Sequence, residues 1–326
     1  MTDIFVTAPD ATAVVGGTGD DRLIFTLASG PGGTTMTGLT GDFLGGYGGV
    51  FDVDGPSDTS FSGLQHFTFA DKVGGKDVIT TGAGDDVLTG GGGNDVFHGS
   101  AGMDTLVGNL GRDRLYGGND FDQLDGGRGN DVLYGGGGAD SLIGGAGDDR
   151  IYGGSGGDFI DTGTGNDLVD SGDGSDFIIA GAGDTGILAG SQNDFIEISF
   201  DGVKTIDGGT GHDYVFAFFT DLAPGEIQLK YNMNTGVHRA VGSTVNKSMI
   251  TNVEDYGMIG EIDAILIGNG ANNELFSDQG NDSLTGKAGK DSLFGGNGDD
   301  QLFGNRGSDT LDGGQGNDIL NGGIGL

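Results

Sequence analysis

The sequence predicts an all-β protein built as a solenoid of very short strands. Three observations lead there. A nine-residue pattern repeats fourteen times without a gap from Lys72 to Glu197. Its sixth position is Asp in every repeat but one, which carries Thr185. Its eighth position is apolar in all fourteen, from Ile79, Leu88 and Phe97 to Ile187 and Ile196. Gly126–Tyr134, Gly135–Ile143 and Gly144–Tyr152 show the pattern most plainly: GGRGNDVLY, GGGGADSLI, GGAGDDRIY.

Each position has a physical reading. Glycines at the first, second and fourth places let the backbone take positive φ and turn tightly. The fourth place departs from Gly only at Asp120 and Gln192. The last three residues alternate polar, apolar, polar, which makes a short strand with one inward side chain. Such a strand buries too little by itself. Stacking repeats rung upon rung makes a continuous core, the logic of a solenoid.

The pattern resembles the GGxGxDxUx nonapeptide of RTX proteins, the haemolysin-type calcium-binding repeats. The resemblance implies a right-handed parallel β-roll, in which two repeats make one coil. Six residues form a calcium-binding turn and three a strand. Repeats eighteen residues apart then share an edge, one strand spacing of about 4.8 Å apart. On that geometry Asp86, Asp104, Asp122, Asp140, Asp158, Asp176 and Asp194 form one column. Asp77, Asp95, Asp113, Asp131, Asp149 and Asp167 form the other. Carboxylates about 5 Å apart repel by roughly 3 kcal/mol at an effective dielectric of 20. Such columns need cations between the rungs. Asp oxygens and carbonyls of a pliant turn suit Ca²⁺ rather than Zn²⁺. The rung that pairs Thr185 with Asp167 is expected to bind weakly or not at all.

Composition agrees. Gly is 75 of 326 residues, and the net charge is −35. That sign excludes nucleic acid as a partner. Counting same-edge neighbours gives about fifteen Ca²⁺, or about +30 of charge to set against the protein's own. There is no Cys, so a disulfide framework is excluded. No stretch approaches a membrane span. The opening MTDIFVTAPD does not read as a cleaved signal peptide. RTX proteins typically leave bacteria through a one-step channel that reads a C-terminal signal. Gly322–Leu326 ends partway into a repeat, so either the chain continues further or its export route differs.

Taken in order, four segments are expected. Residues 1–71 are an N-terminal β segment with one isolated repeat, Gly16–Ile24, carrying Asp21. Alternating runs at Gly49–Val53 and Gln65–Phe69 read as strands. Residues 72–197 are the first roll. Residues 198–267 are a β-rich insert with one isolated repeat, Gly208–Phe216, carrying Asp213. In it, Glu226–Tyr231 and Val237–Val241 read as a hairpin about Asn234-Thr235-Gly236. Residues 268–326 are the second roll, with Asn273, Asp282, Asp291, Asp300, Asp309 and Asp318 at position six. Each non-repeat segment follows a GGTGxD repeat and ends in a similar string, Gly63–Phe67 and Asn252–Tyr256. This suggests a duplicated module whose inserts cap or flank the rolls.

Some patterns look chemical and read otherwise. Gly153–Gly157 satisfies G-x-S-x-G, but Ser155 sits at a variable turn position, not on a strand-to-helix elbow. Gly181–Gly186 satisfies G-x-G-x-x-G with no helix after it. His66, His98, His212 and His238 are scattered, with no H-E-x-x-H. His98, Tyr116, Tyr134 and Tyr152 recur every eighteen residues; aromatic packing is preferred over a sugar-binding strip. Position seven turns apolar at Phe159, Phe177 and Phe195, which predicts a patch covered by the 198–267 insert.

The sequence therefore predicts a non-enzymatic, calcium-binding β-roll with β-rich inserts. It would belong to a secreted, extracellular bacterial protein with a structural or interaction role, folding as Ca²⁺ binds. Its further partner would be an unidentified extracellular protein or polysaccharide. The alternatives are the RTX portion of a secreted polysaccharide-modifying enzyme, or a segment of an adhesin.

Overall fold

One apolar side chain per repeat must be taken from water, and the strands alternate to do so. In the strand Gln123–Arg128, Leu124 and Gly126 are buried while Gln123 and Arg128 are exposed. The computed structural model describes residues 76–81, 83–199, 202–218, 233, 249–260 and 262–325 fully. It also describes the backbone of strands Asp3–Thr7, Arg22–Thr26, Gly49–Val53, Thr59–Leu64, Phe67–Asp71, Gln228–Asn232, Val237–Ala240 and Ser248–Thr251. Asp21 and the turn 234–236 lie outside the described residues. Every described element is a strand, turn or bend.

Residues 1–164 and 165–326 form two bodies. In the first, successive strands alternate between two parallel sheets. Val87–Gly93, Thr105–Gly111, Gln123–Arg128, Ser141–Ala146 and Phe159–Asp161 follow one another in one sheet. Asp77–Thr81, Val96–Ala101, Arg114–Asn119, Val132–Gly137 and Arg150–Ser155 do so in the other. The register is eighteen residues, so identical repeat positions stack. Leu88, Leu106, Leu124, Leu142 and Ile160 form one buried ladder; Ile79, Phe97, Leu115, Leu133 and Ile151 form the other. This is the expected all-β, parallel β-roll.

Phe159–Asp161 and Ser292–Phe294 keep the three residues read from the sequence, but many strands are longer. Val132–Gly137 and Ser141–Ala146 run six residues, because turn positions also pair with the next rung. Close stacking is what demands glycine there. Gly129 has φ +148°, and a Cβ on it would overlap the carbonyl oxygen of Gly111 one rung earlier. Asp120 and Gln192 replace Gly yet keep φ at +73° and +77°. The rungs on either side hold them in this left-handed region, which costs L-residues about 1–2 kcal/mol.

The second body repeats the scheme. Ile178, Ile196, Val215, Tyr256, Leu275 and Leu293 stack in one sheet. Val169, Ile187, Ile206 and Ile250 stack in the other, as do Leu266, Leu284 and Leu302 further along. Between those two runs lies the expected hairpin, Gln228–Asn232 against Val237–Ala240, antiparallel. Its outer edges pair with Asp263–Ile267 and Ser248–Thr251, so it is spliced into the sheet.

The 198–267 insert thus reaches the Phe column through Tyr214 and not, as expected, through this hairpin. Phe177 and Phe195 stand on the opposite sheet, stacked at 5.3 Å, and Tyr214 continues the stack at 5.2 Å. In the first body Phe159 remains exposed. A strand edge carries a row of backbone donors and acceptors that must all be satisfied. Sheet pairing satisfies them, and the aromatic rings cover one another. The inserts, expected to cap or flank the rolls, contribute strands to the sheets themselves. They are threaded differently: Arg22–Thr26 pairs with Gly49–Val53 and that with Phe67–Asp71, whereas Tyr214–Phe218 pairs directly with Asp255–Ile259.

Truncating the ladder tests this core. Leu133→Ala removes a fully buried side chain. It should lower stability by about 2–5 kcal/mol, against about 0.5 kcal/mol or less for exposed Gln123→Ala, read from urea denaturation of the folded chain.

Candidate metal sites

Position six is where the roll becomes unusual. A strand that alternates inward and outward must bury position six along with position eight, and position six is Asp. Asp86, Asp95, Asp104, Asp113, Asp122, Asp131 and Asp140 are all about fully buried. Each uses one oxygen structurally. Asp104 Oδ1 accepts the backbone N–H of Asp86 at 2.8 Å, Asp122 that of Asp104, and Asp140 that of Asp122. The other edge repeats this through Asp95, Asp113, Asp131 and Asp149, at 2.7–2.8 Å. In the second body Asp194 and Asp213 do the same, as do Asp282, Asp291, Asp300, Asp309 and Asp318. The columns inferred from the eighteen-residue spacing therefore form within each body.

The other oxygen is not satisfied. Oδ2 of Asp104, Asp113, Asp122, Asp131, Asp140, Asp194, Asp213, Asp282, Asp291, Asp300 and Asp309 is buried and receives no hydrogen bond. A buried polar oxygen left so costs about 1–3 kcal/mol, and more when charged. The space it faces is lined by oxygen. A Cβ built on Gly126 would lie 2.7 Å from Asp131 Oδ2 and 2.7 Å from the carbonyl oxygen of Gly144. On Gly135 the same distances are 2.5 Å to Asp140 Oδ2 and 2.6 Å to Gly153. At these two turns glycine leaves that space open. Among the described residues no three His, Cys, Asp or Glu side chains converge. A cation here is held by carboxylate and carbonyl oxygens together. That donor set fits Ca²⁺, which takes six to eight oxygens in adaptable geometry, and not Zn²⁺.

The same burial raises the carboxyl pKa values. Asp104, Asp113, Asp122, Asp194 and Asp282 are pushed up to about 7, first by desolvation and then by the neighbouring carboxylates. Backbone N–H donors offset this in part.

Residues 73–196, in overlapping stretches, and residues 267–325 match the RTX calcium-binding nonapeptide repeat (4 copies). These stretches cover more than half of the 326 residues. The chain belongs to the RTX calcium-binding repeat family. No curated protein matches it. Among the described residues no helix is long and apolar enough to cross a membrane.

Three features of this RTX chain were missed from the sequence. Glu254 takes the position-six role after Asp213, whose N–H donates to Glu254 Oε2 at 2.9 Å. Counting back two places from buried Tyr256 would have found it. Position five carries a second, exposed ladder of opposite sense: Asn94 Oδ1 accepts from Arg112 N–H, and Asn272 Oδ1 from Lys290 N–H. Asn and Asp recur at that position, which was the available signal. The third is Lys204, at position six of the rung after Thr185. The repeat that lapses after Glu197 is in phase but one residue longer, so Lys204 pairs with Thr185 at nineteen residues.

Asn273 differs from the aspartates. Its Oδ1 accepts from Asn269 N–H at 2.9 Å within its own turn, and its Nδ2 donates to Glu254 O at 2.6 Å. The aromatic ladder forms as expected. His98, Tyr116, Tyr134 and Tyr152 stack at 4.3, 4.8 and 4.6 Å, within 6° of parallel. Within the stack each ring face is covered by the next, which leaves mainly ring edges for any sugar.

The raised pKa values set a pH dependence. A folded-state pKa above the unfolded value means that the metal-free fold binds extra protons between about pH 4 and 7, so its stability falls as pH rises through that window. In chelator, circular dichroism should therefore show β structure gained on acidification from pH 7.5 to 4.5. The calcium midpoint should move the opposite way, to higher concentration at lower pH, because protons compete for the same oxygens.

Proposed function

We propose that the chain is a calcium-triggered folding module of a secreted bacterial protein, with a structural or interaction role and no catalysis of its own. The observation that carries this is the row of buried Oδ2 atoms without a donor, facing backbone carbonyls across the rungs. Without a cation that row repels itself and lacks hydrogen bonds. With Ca²⁺ between rungs the charges are offset and the oxygens ligated. The ligands are the position-six carboxylates, helped by turn carbonyls, with about fifteen ions in all. The net charge of −35 supports such neutralisation.

Extracellular work follows from the switch. Cytosolic calcium is scarce, so the chain stays unfolded until export and folds where calcium is plentiful. The absence of Cys suits that route, since no disulfide need form outside the cell. The edge-on aromatic ladder favours a packing role over sugar binding.

Circular dichroism in chelator at neutral pH should show a largely disordered chain, and millimolar Ca²⁺ should restore the β spectrum. A β spectrum unchanged by chelator at pH 7.5 would overturn the reading. Asp131 bridges two rungs, receiving from Asp113 N–H and donating to Asp149. Asp131→Ala should therefore lower bound calcium by about two ions per chain in isothermal titration calorimetry.

A further inference from the structure

Lys204 stands where the repeat calls for Asp, and its side chain is buried within the turn. Its Nζ donates to the carbonyl oxygens of Gly181 and Gly183, each at 2.6 Å, and lies 3.5 Å from Thr185 Oγ1. An ammonium has three donors, and these are three acceptors. They are not arbitrary ones. Gly181 and Gly183 are positions two and four of their repeat. In ordinary rungs the carbonyls at those positions point to the next rung: a Cβ on Gly136 would press on Gly118 O, and one on Gly129 on Gly111 O. Lys204 enters from the next rung and takes the carbonyls that face it.

The residues at this turn do not fit calcium. Thr185 replaces one carboxylate and Lys204 replaces the other, so a divalent ion would meet a positive charge and neither position-six carboxylate. We propose that the Lys204 ammonium is a tethered cation that takes the place of Ca²⁺ at the turn Ala180–Thr185, so that this rung closes without metal. This rests on the calcium reading of the other turns. It goes beyond a missing ligand: the paired changes swap a dissociable cation for a covalently attached one. Lysine suits the exchange because its apolar stem tolerates burial while its head stays among oxygens. The rung keeps its cation in calcium-free solution, when the aspartate rungs have lost theirs.

The test is a calcium-soaked crystal of the full chain, mapped by the anomalous scattering of calcium. Wild type should show no peak in the Ala180–Thr185 turn, with Lys204 Nζ between Gly181 and Gly183. The double variant Thr185→Asp/Lys204→Asp should gain a peak there. A wild-type peak at that turn, with Lys204 turned outward, would overturn the proposal. So would a folded double variant that gains no ion. Lys204→Met supplies a second readout in solution: its melting temperature at saturating Ca²⁺ should fall below that of wild type and not recover as calcium is raised further. Full recovery by calcium would mean that metal reaches this turn, and would count against the proposal. If wild type shows no peaks at the Asp113 and Asp131 turns either, the calcium reading itself has failed, which is a separate result.

Discussion

A carboxylate buried once in every nine residues is the constraint on which this structure depends. Asp104, Asp113, Asp122, Asp131 and Asp140 each spend one oxygen on the N–H of the rung before, which fixes rung spacing and turn shape together. The second oxygen is left to something outside the chain. The same side chain is thus a brace for the backbone and a demand for a cation. Glycine at turns such as Gly126 and Gly135 follows from that demand, because there the space beside Oδ2 stays clear of a Cβ. Acidity follows as well, since the columns cannot be diluted without losing rungs.

The apolar core is thin by comparison. Each coil contributes two position-eight side chains, stacked as leucine and isoleucine ladders between two sheets. They choose the face and register of every strand, because a slip of one residue would expose the whole ladder. A solenoid has only neighbour contacts, so each rung must be closed on its own terms. The turns and the ladders divide the work: oxygens close the edges, and methyl groups fill the middle.

The irregular rungs show how far the scheme bends. Glu254 supplies a carboxylate from the end of an insert, and Asn273 closes its turn with its own amide. Lys204 brings a cation on a side chain. The hairpin Gln228–Asn232 and Val237–Ala240 joins the sheet edge to edge. In each case the backbone groups between rungs are satisfied, while the means of satisfying them changes.

The sequence by itself determined the roll. Periodicity of nine, Asp at six and an apolar residue at eight are local and repeated, and only one stacking buries every eighth residue while aligning every sixth. The core ladders and the aspartate columns of the regular repeats were legible for that reason. What only the tertiary structure decided lies where the period breaks. One added residue between Ile198 and Lys204 hides Lys204 from a nine-residue count, although it pairs in phase with Thr185. Glu254 reaches Asp213 across forty-one residues of chain. The hairpin was visible as a hairpin, yet its place in the sheet was not. That placement depends on which strand edges stand open beside it. Open edges belong to the assembled coil and to no single segment of the chain.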